Sequence, residues 1–143
     1  MRINQAQAKM YDQAVTTFNN VLALDPTNVY ALYNLGVINQ TQNNTTAALD
    51  YYSRAIAVDG TYTSAMYNKA IILESSDLNE ALALYKQIVA INPKASTAWL
   101  RMAFVYAEQG QPALAQAARA KAIALDPSLA KYPLPAACST PNC

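Results

Sequence analysis

The sequence predicts an all-α fold, a solenoid of stacked antiparallel helix pairs, and three observations carry that expectation. First, a pattern returns about every 34 residues, the signature of stacked units that each bury an apolar face only against their neighbours. It reads Leu32-x2-Leu35-Gly36, Ala48-x3-Tyr52, Ala55 and Asp59-Gly60, then Met66, Ala70, Ala81-x3-Tyr85 and Asn92-Pro93. It reads again as Trp99-x2-Met102-Ala103-x2-Tyr106, Ala115, Ala122 and Asp126-Pro127, with Ala14-x3-Phe18 and Asp25-Pro26 as the back half of one more copy. Second, apolar residues inside each copy recur at spacings of three and four, the period of an amphipathic helix. Third, there are only three glycines, and the seven prolines sit at unit boundaries or in the tail, which argues against an all-β fold.

Taken in order, the spacing predicts helices near residues 1–7, 11–24, 28–41, 45–58, 62–75, 78–91, 95–109 and 112–125. Small residues fall where paired helices must approach closely: Gly36 and Ala48, Ala70 and Ala81, Ala103 and Ala115. Large ones, Leu32, Tyr52, Met66, Tyr85 and Trp99, fall between them, so antiparallel helices can interdigitate. Asp77 followed three residues later by Glu80 resembles a capping box, and Gly110 before Pro112 places a terminal glycine ahead of a first-turn proline. The units are a partial one at 1–28 and three at 29–62, 63–95 and 96–129. The third copy is one residue short, most simply in Ser75-Ser76-Asp77. Beyond residue 129, Tyr132-Pro133-Leu134-Pro135 opens an extended tail over 130–143 that no regular helix can occupy.

With these residues in frame, the chain resembles the tetratricopeptide repeat proteins over about residues 8–129. The resemblance implies a right-handed α-solenoid of about three and a half repeats that acts by binding other chains. Two departures stand out. Lys69 replaces a buried leucine, so its helix face is partly wet, the lysine stem snorkelling. Arg119 replaces the aromatic of the second helix, which suits a final helix with nothing stacked on it. The first unit lacks the opening turns of its first helix, so that edge is exposed or the chain is cut from a longer protein. No polar capping helix is evident at the other end, where the tail is free to cover the last helix.

Composition narrows the function. Ten basic and nine acidic residues give a net charge of +1 with no basic face, which disfavours nucleic acid. No run of 18 apolar residues would insert directly into a membrane. There is no histidine, no nucleophile with an identifiable base, no phosphate loop and no metal-ligand spacing; a non-enzymatic protein without cofactor or metal is expected. Asp25, Asp59 and Asp126 occupy equivalent turns and read as a repeat signature, not a paired carboxylate site. Cys138 and Cys143 could close a small disulfide loop in an oxidising compartment, bridge chains, or remain two reduced thiols. Low charge and a surface rich in Asn, Thr and Tyr lean towards an extracytoplasmic, envelope setting.

In tetratricopeptide arrays the first helix of each unit lines a concave groove. Transferred by frame, the second unit contributes Tyr30, Tyr33, Asn34, Val37, Gln40 and Thr41. The third contributes Ser64, Tyr67, Asn68, Ile71, Glu74 and Ser75, and the fourth Thr97, Leu100, Arg101, Phe104 and Glu108, with Ile3, Ala6 and Gln7 from the partial first. The resemblance assigns Asn34 and Asn68 to the backbone of an extended peptide, and gives Arg101 an acidic or carbonyl group unless Glu74 or Glu108 neutralises it. The cationic grip that holds acidic chaperone tails is mostly absent, since Tyr33, Val37 and Thr97 occupy three of its places. The expectation is a scaffold for an extended, neutral peptide of a partner protein. The alternative is self-association through the open edges of the array.

Overall fold

The computed structural model describes residues 4–135, so Ile3 and the two cysteines, Cys138 and Cys143, lie outside the described residues. Among these residues there are seven α-helices, one 3₁₀ helix and no strand. They are α1 (Gln5–Leu24), α2 (Val29–Thr41), α3 (Thr45–Val58), α4 (Thr63–Leu73), α5 (Leu78–Ile91), α6 (Ser96–Glu108), α7 (Pro112–Leu125) and a 3₁₀ turn, Pro127–Lys131. The chain forms two compact units that divide within α4, between Lys69 and Ala70.

In the first unit the start differs from expectation. The spacing predicts two helices, over 1–7 and 11–24, yet α1 runs unbroken for 20 residues. Ala8-Lys9-Met10 are all good helix formers and nothing there breaks the backbone ladder. A full capping box starts the helix: Asn4 Oδ1 accepts from Gln7 N at 2.8 Å and Gln7 Oε1 from Asn4 N at 3.3 Å. Ala6 and Gln7 therefore belong to the second-helix position of the first repeat and line no first helix.

The α2–α3 pair holds the core of this unit. Ala31, Leu32 and Leu35 of α2 and Ala48, Tyr52 and Ala55 of α3 are almost wholly buried. Gly36 permits their approach, because a Cβ there would stand 2.5 Å from Cε1 of Tyr52. In the second unit the same places are filled by Ala81, Tyr85 and Ile88 of α5, by Ala98, Met102, Ala103 and Val105 of α6, and by Ala115 and Ala122 of α7.

Turns repeat as faithfully as helices. Asp25, Asp59 and Asp126 each accept, through Oδ1, the N–H and hydroxyl of the residue two places on, and Asn92 accepts the N–H of Lys94. These side chains close turns, a structural use that leaves no carboxylate pair. Within hairpins, Asn43 and Gly110 adopt positive φ of 63° and 71°. The third repeat has no positive-φ residue in that turn, and α4 to α5 starts are 15 residues apart, 63 to 78, against 16 for 29 to 45 and 96 to 112. The missing residue falls there.

After α7 the chain turns at Pro127 and inserts Leu129 against Leu100 and Ala122. Arg119 secures this return, donating from Nε to Tyr132 O at 3.1 Å and from Nη2 to Ala130 O at 3.0 Å. Pro133 and Leu134 then form one wall of an apolar cavity of about 670 Å³ along Ile123 of α7.

A tyrosine-lined candidate interaction surface

Helix α2 carries no charged residue along its length. Its Tyr30 is 65% exposed and meets Phe18 of α1 edge to face at 6.0 Å. One turn on, Tyr33 is half-buried between Tyr52, 6.0 Å away, and Tyr62, 5.4 Å away and nearly perpendicular. Burial raises the Tyr62 hydroxyl above the usual phenol range, and its neighbours Tyr33, Tyr30 and Asp59 raise it further. The cluster is an aromatic surface with polar tips, well suited to recognition. The repeat frame does not single out Tyr62, because it occupies a turn position just ahead of α4.

Polar groups expected to face a ligand are engaged internally. Asn68 donates from Nδ2 to the hydroxyls of Tyr33 and Tyr52, each at 3.3 Å, and the Tyr52 hydroxyl donates to Gln40 Oε1 at 2.6 Å. Burial is the main cause that pushes the Tyr52 hydroxyl up to about 12, with its Asn68 bond acting the other way. Asn34 donates to the carbonyl of Tyr30 in its own helix at 2.7 Å. Both Asn68 amide hydrogens thus have tyrosine acceptors, and one of the two on Asn34 is used within its own helix.

The second unit repeats the arrangement with charge. Tyr85 donates to Glu74 Oε1 at 3.2 Å, and Glu74 Oε2 lies 3.3 Å from Nη1 of Arg101. Glu74 is thus the neutralising partner of Arg101. Burial raises the Glu74 carboxyl above its usual range and Glu108 adds to this, while Arg101 and the Tyr85 hydroxyl oppose it. By frame, Gln40–Tyr52–Asn68 and Glu74–Tyr85–Arg101 are the same triad, a buried tyrosine hydroxyl clasped between one repeat and the next.

The remaining predicted residues are placed as follows. Val37, Tyr67, Ile71 and Phe104 are half-buried, Glu108 is exposed, and Phe104 packs on the Leu100–Ala122–Leu129 cluster. Leu100 is a correction: it is 7% exposed, because Leu129 covers it, and offers nothing to a groove in this structure. Among the described residues no helix is long and apolar enough to cross a membrane.

Family models of the tetratricopeptide repeat match residues 29–62 and 72–132, and one described as TPR repeat matches 7–43. The chain is a tetratricopeptide repeat protein. No curated protein matches it in sequence. Solved structures resemble it in fold. A crystal structure of MamA protein is 27% identical, with a TM-score of 0.74 over 87% of this chain and 69% of that one. YrrB, described as a TPR protein with an unusual peptide-binding site, is 25% identical, with a TM-score of 0.74 over 87% of this chain and 66% of its own. A segment of MamA from Desulfovibrio magneticus RS-1, 21% identical, shares the fold at a TM-score of 0.73 over 86% of this chain and 70% of that one. The fold is an all-α tetratricopeptide solenoid, and at the level its family and fold support, the protein is a protein-interaction scaffold.

Proposed function

We propose that this scaffold is non-enzymatic and holds an extended, uncharged peptide segment of a partner protein against the α2 face of its first unit. The single observation that carries the reading is the cluster of Tyr30, Tyr33 and Tyr62, exposed or half-buried beside a helix without charge. Tyr30 supplies an exposed apolar ring, Tyr33 and Tyr62 an edge already fixed by mutual packing, and Val37 apolar surface one turn on. The carbonyls of Asn34 and Asn68 accept N–H groups of the ligand backbone. Such bonds orient a chain, at about 1 kcal/mol each, without dictating its sequence. In the second unit Arg101 is held by Glu74, so that cation is not assigned an acidic ligand.

Selection of a random decapeptide display library on the full chain tests this. Uncharged peptides rich in proline or apolar residues should be enriched. Tyr30→Ala, at a position whose ring is mostly in solvent, should leave stability unchanged and weaken the selected peptides about tenfold, the effect of truncating one aromatic anchor. Enrichment of acidic peptides, or equal affinity in Tyr30→Ala, would remove this surface from the account.

A further inference from the structure

The tyrosine cluster has a direction built into its hydrogen bonds. Asn68, on α4, gives one amide hydrogen to the Tyr52 hydroxyl and the other to the Tyr33 hydroxyl, each at 3.3 Å. Both hydroxyls are therefore acceptors towards Asn68, and each still has its own proton to give. Tyr52 is fully buried and gives its proton to Gln40 Oε1 at 2.6 Å. Tyr33 is half-buried, and among the described residues its proton has no acceptor. The Asn68 bond thus leaves the Tyr33 O–H as a donor to solvent or to a ligand. Aromatic area lies beside it: the Tyr62 ring is 5.4 Å away, and Tyr30, one turn earlier on α2, is 65% exposed.

We propose that the segment held there contains proline and lies in the polyproline II conformation, with one of its carbonyls taken by the Tyr33 O–H. This proposal rests on the α2 face being a peptide site, and it names the class of peptide. Each backbone form would meet the donor differently. An α-helix uses its carbonyls in its own ladder. An added β-strand needs a sheet edge, and there is no strand among the described residues. A polyproline II segment has no internal hydrogen bonds, so its carbonyls are free. Proline also carries no N–H, so it brings no donor against the Tyr33 proton. Its ring packs on aromatic side chains, and its fixed φ lowers the entropy lost on binding. Tyr33 is then the specificity-determining residue. Asn68 is a positioning residue, which makes the Tyr33 hydroxyl a donor without touching that carbonyl itself. Asn68→Asp would replace the amide donor by a second acceptor and draw the Tyr33 proton inward. An acceptor for a ligand N–H would remain, and the outward donor would be lost.

The probe is decaproline blocked as its N-acetyl dimethylamide, titrated into the full chain at pH 7 and followed by amide chemical shifts. It is uncharged and has no N–H, so it isolates the Tyr33 contact from those made by the carbonyls of Asn34 and Asn68. Saturable shifts in α2 and around Tyr62 are expected. Tyr33→Phe and Asn68→Asp, compared where circular dichroism shows both folded, should each weaken binding about tenfold, the scale of one hydrogen bond whose acceptor is left unmet. The double variant should bind no more weakly than Tyr33→Phe alone, because Asn68 acts only through that hydroxyl. A merely structural role would add a second loss. Additive losses, unchanged affinity in either single variant, or no saturation by decaproline would overturn the proposal. Should uncharged peptides without proline bind in a Tyr30-dependent way while decaproline does not, the peptide site stands and this proposal falls. Should no uncharged peptide bind at all, both fall.

Discussion

Two tyrosine hydroxyls, those of Tyr52 and Tyr85, show how one frame position is solved with and without charge. Tyr52 is bonded by the neutral pair Gln40 and Asn68, Tyr85 by Glu74, which also pairs with Arg101. For Glu74 the cost of burial outweighs the attraction of Arg101, since the net shift of its carboxyl is upward. A raised folded-state value means that Glu74 favours folding most when protonated. That contribution is fully present below the ordinary carboxylate value and is lost as pH rises through the folded one. At neutral pH the ionised carboxylate is therefore a small liability, and Gln40 shows that an amide can fill the same place. Glu74→Gln is expected to raise the stability measured by urea titration at pH 7 by a few tenths of a kcal/mol to about 1 kcal/mol, the scale of a partly exposed ion pair. The advantage should vanish as pH falls below 4.5, where the native glutamic acid is neutral as well. A variant less stable than the native chain at pH 7 would show that the Arg101 pair outweighs burial.

Elements were legible where local chemistry and repeat frame agreed. The bounds of α3, α5 and α7 coincide with those read from spacing, because each is closed by a side-chain-bonded turn and, for α7, opened by Pro112. The break expected inside α1 failed because it came from the frame of later units alone. No glycine, proline or cap stands between Gln7 and Tyr11 to end a helix. The site was legible in part for a related reason. Spacing placed Tyr30 and Tyr33 on one face but could not show that Asn68 directs its donors to tyrosine hydroxyls. Nor could it show that the residue three places after each turn residue, Tyr62 or Leu129, folds back onto Tyr33 or Leu100. Hairpin turns offer the test at this scale. Gly110 sits at φ 71°, and a Cβ added there would meet nothing within 4 Å. Gly110→Ala should therefore cost only the left-handed backbone penalty, about 1–2 kcal/mol. Asn43→Gly at φ 63° relaxes the same penalty and should raise stability by less than about 1 kcal/mol. Urea titration of the two variants checks both signs.

At the scale of the molecule, the question is whether the array unfolds as one body or in pieces. Stability in a stacked array approximates a sum of unit and nearest-neighbour contributions, so damage in one place need not spread. The chain divides into two compact units, and Gly36 lies well inside the first. Its missing Cβ would meet Cε1 and Cδ1 of Tyr52 at 2.5 and 2.7 Å. That ring cannot swing aside, because it is fully buried and its hydroxyl is tied to Gln40 and Asn68. Gly36→Ala should therefore overpack the α2–α3 pair by roughly 1–3 kcal/mol. Measured by native-state hydrogen exchange, the opening free energies of amides in α2 and α3 should fall by that amount. Those in α6 and α7, whose core of Met102, Ala103, Val105, Ala115 and Ala122 contains neither residue, should keep theirs. An equal fall in all four helices would mean that cooperativity spans both units and that the sum over local contributions does not describe this chain. A fall confined to α2 and α3 would mean that the tyrosine surface on α2 can be loosened, or tightened by a bound peptide, without disturbing the second unit.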